Sequence, residues 1–283
     1  MNCASQLRHE LGYRAEVYAR KHALPHCLSY GQPPTVCFEP YDDDSRHGNF
    51  LPSTYSAIRR NSIWRRRLDK VHAQGRSLPR NERGLWRELD SCASSDALLM
   101  NVFCYPRVFT DGRLYSILDA EPGANPNFGF RARVPLANGR FDRTEVDMRL
   151  GNLLIEAKLT EGDFQQAPKT VVNTYRDFSP VFNCEELPQT QNDYLSYQLI
   201  RNILAAQASN CSFCLLMDAR RSDLIEAWYA VIRCVSPVDL RLRCKILTWQ
   251  DVFRMLPKTL RGFLAEKYGI GLESNLGSHE ERP

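Results

Sequence analysis

The order of elements in this sequence predicts an α/β fold, a mixed β-sheet core flanked by helices on both faces. Three observations carry that reading. Residues 144–164, TEVDMRLGNLLIEAKLTEGDF, read as a hairpin about Gly151-Asn152, a two-residue turn with glycine first. Ser212–Met217 and Leu242–Leu247 are short apolar runs of strand length. Between and before them lie segments with helical apolar spacing, among them Leu195, Leu199, Ile203 and Ala206 on one stripe. Helix, hairpin, helix, strand, helix, strand is the order of a sheet with both parallel and antiparallel pairs.

In chain order, a first helix is expected over 5–22. A Pro-, Gly- and Asp-rich stretch to about residue 52 reads as loop. Tyr55 to Val71 reads as a basic helix anchored by Ile58, Ile63, Leu68 and Val71. Asn81 can cap a helix carrying Glu88, with Leu85, Trp86, Leu89 and Cys92 on its apolar side. Ser95 then restarts or kinks that helix as far as Phe103. Arg113–Leu118 reads as a strand, EPGANPNFGF (121–130) as loop, and Phe141–Leu150 as the first arm of the hairpin. Residues 160–190 carry few regular signals and are expected to cover the hairpin's charged face, ordering on substrate. Asn192 caps a helix through about 208, Ser222–Cys234 forms another, and Thr248 caps a short one before Leu260–Tyr268. The expected division is an extension over 1–80, a core over 81–270 and a disordered polar tail over 271–283.

Composition narrows the class without choosing a function. The 283 residues are 43% hydrophobic and 25% charged, as in an ordinary globular protein. No apolar run approaches the roughly 20 residues of a membrane helix, and the N-terminus has no apolar signal core. A cytoplasmic location is therefore expected. The net charge of +4 permits a nucleic-acid partner but does not demand one. Its distribution says more: Arg59, Arg60, Arg65, Arg66, Arg67, Lys70, Arg76, Arg80, Arg83 and Arg87 crowd together around Trp64 and His72. Such a stretch suits a phosphate backbone, and a solvated helix face is the competing account. The ten cysteines include one CxxC, Cys211 and Cys214, in an apolar strand with no second pair at zinc-ribbon spacing. Reduced, buried thiols are expected, and no cysteine lies in a recognisable nucleophile context.

The hairpin carries the chemistry. Folded about its turn, Leu150 faces Leu153, Arg149 faces Leu154, Met148 faces Ile155, Asp147 faces Glu156 and Glu145 faces Lys158. Side chains two apart share a face, so Glu145, Asp147, Glu156 and Lys158 project together. Opposed carboxylates on a sheet are destabilising, and here they leave a strand that reads as buried on both faces. A cation between them is the better account than an exposed, self-neutralised edge.

Asp147 followed nine residues later by Glu156-Ala157-Lys158 resembles the PD-(D/E)xK nuclease superfamily, with Val146 where the motif's name has proline. IEAKLTEGDF, YQLIRNILAA, SSDALLMNVF and ILTWQDVF further resemble bacterial predicted restriction-endonuclease-like proteins, over about residues 58–268. The resemblance implies a restriction-endonuclease-like fold and a Mg²⁺-dependent deoxyribonuclease acting on DNA, with Mn²⁺ as an alternative ion. Asp147 and Glu156 would ligate Mg²⁺, which takes few protein carboxylates and keeps several waters; the chemistry it would supply is polarisation of the phosphate and a lowered pKa for a bound water. Lys158 would position that water and stabilise developing charge. Glu88, on the opening helix, is a further candidate ligand, and Glu145 an outer contact or the partner of Lys158. The resemblance assigns Gln198 to the site or the phosphate; Arg201 lies beside it, and Arg65 and Arg66 are candidates for the DNA backbone. Cutting both strands takes two such sites, which a homodimer would supply. The alternative is a catalytically silent module on the same fold that binds nucleic acid or a partner.

Overall fold

The computed structural model describes residues 2–28, 34–41, 43–70, 87–143 and 145–272. Five strands form its main sheet: β1 (Pro126–Arg131), β2 (Glu145–Leu150), β3 (Leu153–Ala157), β4 (Ser212–Met217) and β5 (Cys244–Thr248). They lie side by side in chain order, the first three antiparallel and β3–β4–β5 parallel. Central β3 is buried along its whole length, as its unbroken LLI run requires.

Helices cover both faces, so the chain has the mixed α/β architecture that the element order predicts. The helices are α1 (Cys3–Lys21), α2 (Pro52–Arg60), α3 (Ser95–Phe103), α4 (Arg113–Leu118), α5 (Tyr197–Ser209), α6 (Ser222–Ile232), α7 (Val238–Arg243), α8 (Trp249–Phe253) and α9 (Lys258–Tyr268), with shorter turns between. On one face Leu153, Ile155 and Leu216 pack with Leu7 and Leu11 of α1, Leu98 and Val102 of α3 and Leu260 and Leu264 of α9. On the other, Leu154, Phe213 and Leu215 pack with Leu199 and Ile203 of α5 and Trp228 of α6. The alternation along β3 and β4 thus divides two cores.

Several local expectations are corrected. Arg113–Leu118 is helix α4, not a strand: Leu114 and Leu118 are buried four residues apart, on one helical side, after Gly112 at φ +72°. The second half of EPGANPNFGF is edge strand β1, paired with β2 from Pro126 to Arg131. The basic segment is broken at Asn61, whose side chain accepts from Ile63 N at 3.0 Å and Trp64 N at 3.2 Å and so starts a new turn. A 3₁₀ turn over Arg66–Asp69 follows, and Val71 lies outside the described residues. Glu88 sits on a 3₁₀ turn, Glu88–Asp90, rather than on a long helix, while 81–86 lie outside the described residues.

Residues 160–190 pack as a layer on the sheet. Phe164, Val172, Tyr175, Phe178, Val181 and Phe182 are buried in the second core. Apolar residues without a period leave no signature in sequence but bury area all the same. Within this layer Gln166–Pro168 pairs with Asp193–Leu195, which delays the following helix to Tyr197. Phe141–Asp142 pairs with Val134–Pro135 and is separate from β2. Residues 273–283, most of the expected tail, lie outside the described residues.

Candidate active site

The hairpin opens where its charges begin. The β2–β3 ladder runs through Leu150↔Leu153, Arg149↔Leu154 and Met148↔Ile155 and ends there. Beyond it β2 follows β1, with Val146↔Phe130, while β3 follows β4, with Glu156↔Leu215. The expected opposition of Asp147 with Glu156 and of Glu145 with Lys158 is therefore absent from the ladder. The cause is local: Ala157 N–H donates to Asp147 Oδ2 at 2.8 Å, where a continued ladder would offer it to a main-chain carbonyl.

Glu156 and Lys158 line this opening and are almost wholly buried. Lys158 Nζ lies 3.1 Å from Glu156 Oε1 and donates to Gln198 Oε1 at 2.9 Å. Asn202, one turn along α5 from Gln198 and fully buried, donates to Glu156 Oε2 at 2.9 Å. Both carboxylate oxygens of Glu156 are thereby fixed. The Lys158 main chain is held from two sides, by Leu216 O at 2.8 Å and by Trp249 Nε1 at 3.1 Å. The loop beyond it is gripped by Arg221, which donates to Leu159 O at 3.0 Å, and by Glu161, which accepts from Leu159 N at 2.6 Å.

A second charged group borders the first. Arg67 bridges Asp96 at the start of α3 (2.8 Å) and Glu145 of β2 (2.6 Å). Lys70 bridges Asp96 (2.7 Å) and Glu88 (3.1 Å) and lies 3.6 Å from Glu145. Glu88 and Glu145 thus belong to this group. Arg201 stacks over the Tyr197 ring on the Gln198 side of α5, whereas Arg65 and Arg66 are exposed on the short helix and turn beside α2. That segment is fastened to the sheet edge by Trp64, whose Nε1 donates to Pro126 O at 3.0 Å.

The electrostatics separate these acids. Burial, with the charges of Glu156 and Asp96, pushes the Asp147 carboxyl well above the usual carboxylate range; Lys158 and the Ala157 N–H counter this only in part. Burial alone would favour neutral Lys158, but Glu156, Glu161 and Asp147 outweigh it and push the amine up to about 12. Burial likewise opposes ionisation of Asp96, yet Arg67 and Lys70 hold it below the usual range. Glu88 is raised by burial and by Asp96.

Residues 15–269 match the family described as Restriction Endonuclease associating with ARP. The chain belongs to that family. No curated protein and no solved structure matches it. In this restriction-endonuclease-like chain, the oxygen donors suited to a hard cation are Asp147, Glu156 and the Ala157 carbonyl. Among the described residues no three His, Cys, Asp or Glu side chains form a ready-made metal cage, and no helix is long and apolar enough to cross a membrane. All ten cysteines are free.

Sequence reasoning overlooked Asp96, Asn202 and Glu161, and it read Arg67 and Lys70 only as members of a basic stretch. Asp96 had a visible signal: it precedes ALLMNVF, an apolar run too continuous for a half-exposed helix, so an acid in its first turn is enclosed. Asn202 lies four residues after Gln198, one turn along the same helix side.

Proposed function

We propose that the chain is a metal-dependent DNA endonuclease that hydrolyses phosphodiester bonds at the β2–β3 opening. One observation carries the reading. Asp147 and Glu156 flank the point where the hairpin splays, and among the described residues the only hydrogen bond to the Asp147 carboxylate comes from a main-chain N–H. A half-buried carboxylate with that single partner, next to the charge of Glu156, suits a cation, and its raised proton affinity points the same way.

Asp147, one oxygen of Glu156 and the Ala157 carbonyl would hold Mg²⁺ or Mn²⁺, whose chemistry there is Lewis-acid activation of phosphate and water. Asn202 keeps the Glu156 carboxylate turned toward the opening. Lys158 stays protonated through neutral pH, so it serves as a fixed cation and donor toward the scissile phosphate and not as a base. Gln198 fixes the ammonium on its other side. Arg201, Arg65 and Arg66 are the proposed contacts to the DNA backbone, which position without specifying sequence. A second copy of the chain would supply the second cut of a duplex.

The test is incubation of supercoiled plasmid and single-stranded DNA with the protein in Mg²⁺, Mn²⁺ and EDTA, beside Asp147→Ala, Glu156→Ala and Lys158→Ala. Metal-dependent cutting should fall at least about a hundredfold in each variant while each keeps its circular-dichroism spectrum. Three variants that cut like the parent would refute the site. Retained DNA binding with no cutting under any condition would favour the silent binding module.

A further inference from the structure

Arg67 is the most enclosed cation of the bordering charged group. Its Nη2 donates to both oxygens of Asp96, at 2.8 and 3.1 Å, and its Nη1 to Glu145 Oε1 at 2.6 Å. Only 9% of its side chain is exposed. Lys70 completes the group from Asp96 Oδ2 at 2.7 Å. The sheet is shaped to admit the guanidinium. Gly129 of β1 falls between the pairs Phe128↔Met148 and Phe130↔Val146, opposite Asp147. It has φ +64°, and a Cβ there would lie 2.5 Å from Arg67 Nη1. A strand thus gives up a side chain and takes a left-handed conformation at the position beside the candidate ligand. Asp96 is near enough to Asp147 for its charge to be felt there.

Asp96 and Glu145 are therefore acids beside the site that already have cations. We propose that Arg67 is a built-in counter-cation: with Lys70 it occupies Asp96 and Glu145, withholds both from metal ligation, and restricts the site to one divalent ion at Asp147 and Glu156. This inference rests on the metal-site reading above. Arg67 acts through the two carboxylates as a positioning residue. Without its guanidinium, Lys70 is the one cation left to Asp96 and Glu145 among the contacts described above, and the oxygens that Arg67 held become donors next to Asp147, the arrangement a second hard cation takes.

The test is titration of the full chain with Mn²⁺ alone, following the free ion by electron paramagnetic resonance. The parent should bind one Mn²⁺ tightly and Arg67→Met two, while Arg67→Lys, which keeps the charge, should bind one. Two tight ions in the parent, or one in a folded Arg67→Met, would overturn the proposal. Should Arg67→Met fail to fold, Asp96→Asn decides. One ion bound with unchanged affinity supports the proposal, and a loss of about tenfold or more, the size expected for disturbing a metal's surroundings, overturns it by making Asp96 a ligand. Asp147→Asn checks the reading beneath: it should abolish the tight ion, and unchanged Mn²⁺ binding in that variant would defeat the metal site itself.

Discussion

Asn202 carries no charge, yet it decides where the Glu156 carboxylate points. It is fully buried, and its amide is the partner of Glu156 Oε2. Groups that orient a metal ligand typically matter about 10- to 100-fold in metal affinity. Asn202→Leu should weaken Mn²⁺ binding by about that range with little change in secondary structure, measurable by calorimetric titration. Asp147 gives a second prediction at this scale. Its folded pKa is raised, so the metal-free protein is stabilised by the protonated carboxyl at low pH, and that contribution is lost as pH rises through the folded pKa. Metal must displace the proton, so Mn²⁺ affinity should climb with pH until that pKa is passed. Proton release, read by calorimetry in buffers of different ionisation enthalpy, should disappear in Asp147→Asn. Asp147, Glu156 and Lys158 were legible because a turn and a period of two locate them without knowledge of the rest of the chain. Asp96, 51 residues before Asp147, was not, because only tertiary folding makes them neighbours.

Elements were legible where local chemistry alone determines them. The Gly151-Asn152 turn, β4, α6 and the Thr248 capping box, in which Thr248 and Asp251 exchange bonds, all follow from a few adjacent residues. The failures share a cause. Edge strand β1 hides in a Pro-Asn-Gly-rich stretch because its pairing with β2 overrides propensity, and α4 reads as a strand because six residues cannot separate one period from another. Gly129 now has a positional meaning that its loop-like surroundings concealed. Gly129→Ala should destabilise the fold by about 1–2 kcal/mol from the left-handed backbone alone, and more through displacement of Arg67. Gly162→Ala is the control: a Cβ there meets nothing within 4 Å, and its cost should stay within about 0.5 kcal/mol. Urea midpoints of the two variants compare them directly.

The whole molecule is closed by its ends. Helix α1, from the segment expected as an extension, shares a core with the sheet and α9. Lys267 of α9 is buried over the Phe38, Phe263 and Tyr268 rings and donates to Asn49 O at 2.9 Å. Burial holds its amine well below the usual lysine range. The unfolded chain binds a proton that the folded chain does not, so stability should rise with pH between the folded and unfolded pKa values. Against Lys267→Met, the parent should gain up to about 1.4 kcal/mol per pH unit as pH rises from the lowered folded pKa toward the usual lysine value, read from denaturant curves. At the surface, a double Arg65→Ala, Arg66→Ala variant should lower the slope of log affinity for DNA against log salt by about 2 if both side chains contact phosphate. An unchanged slope would remove them from the interface.

The proposed site centres on a cation held between Asp147 and Glu156. Anomalous diffraction from crystals grown in Mn²⁺ tests this most directly. A single peak within roughly 2.0–2.4 Å of Asp147, Glu156 and the Ala157 carbonyl oxygen, absent from Asp147→Asn crystals, is the predicted result. No peak there at millimolar Mn²⁺, or a peak bound by other residues alone, would contradict it.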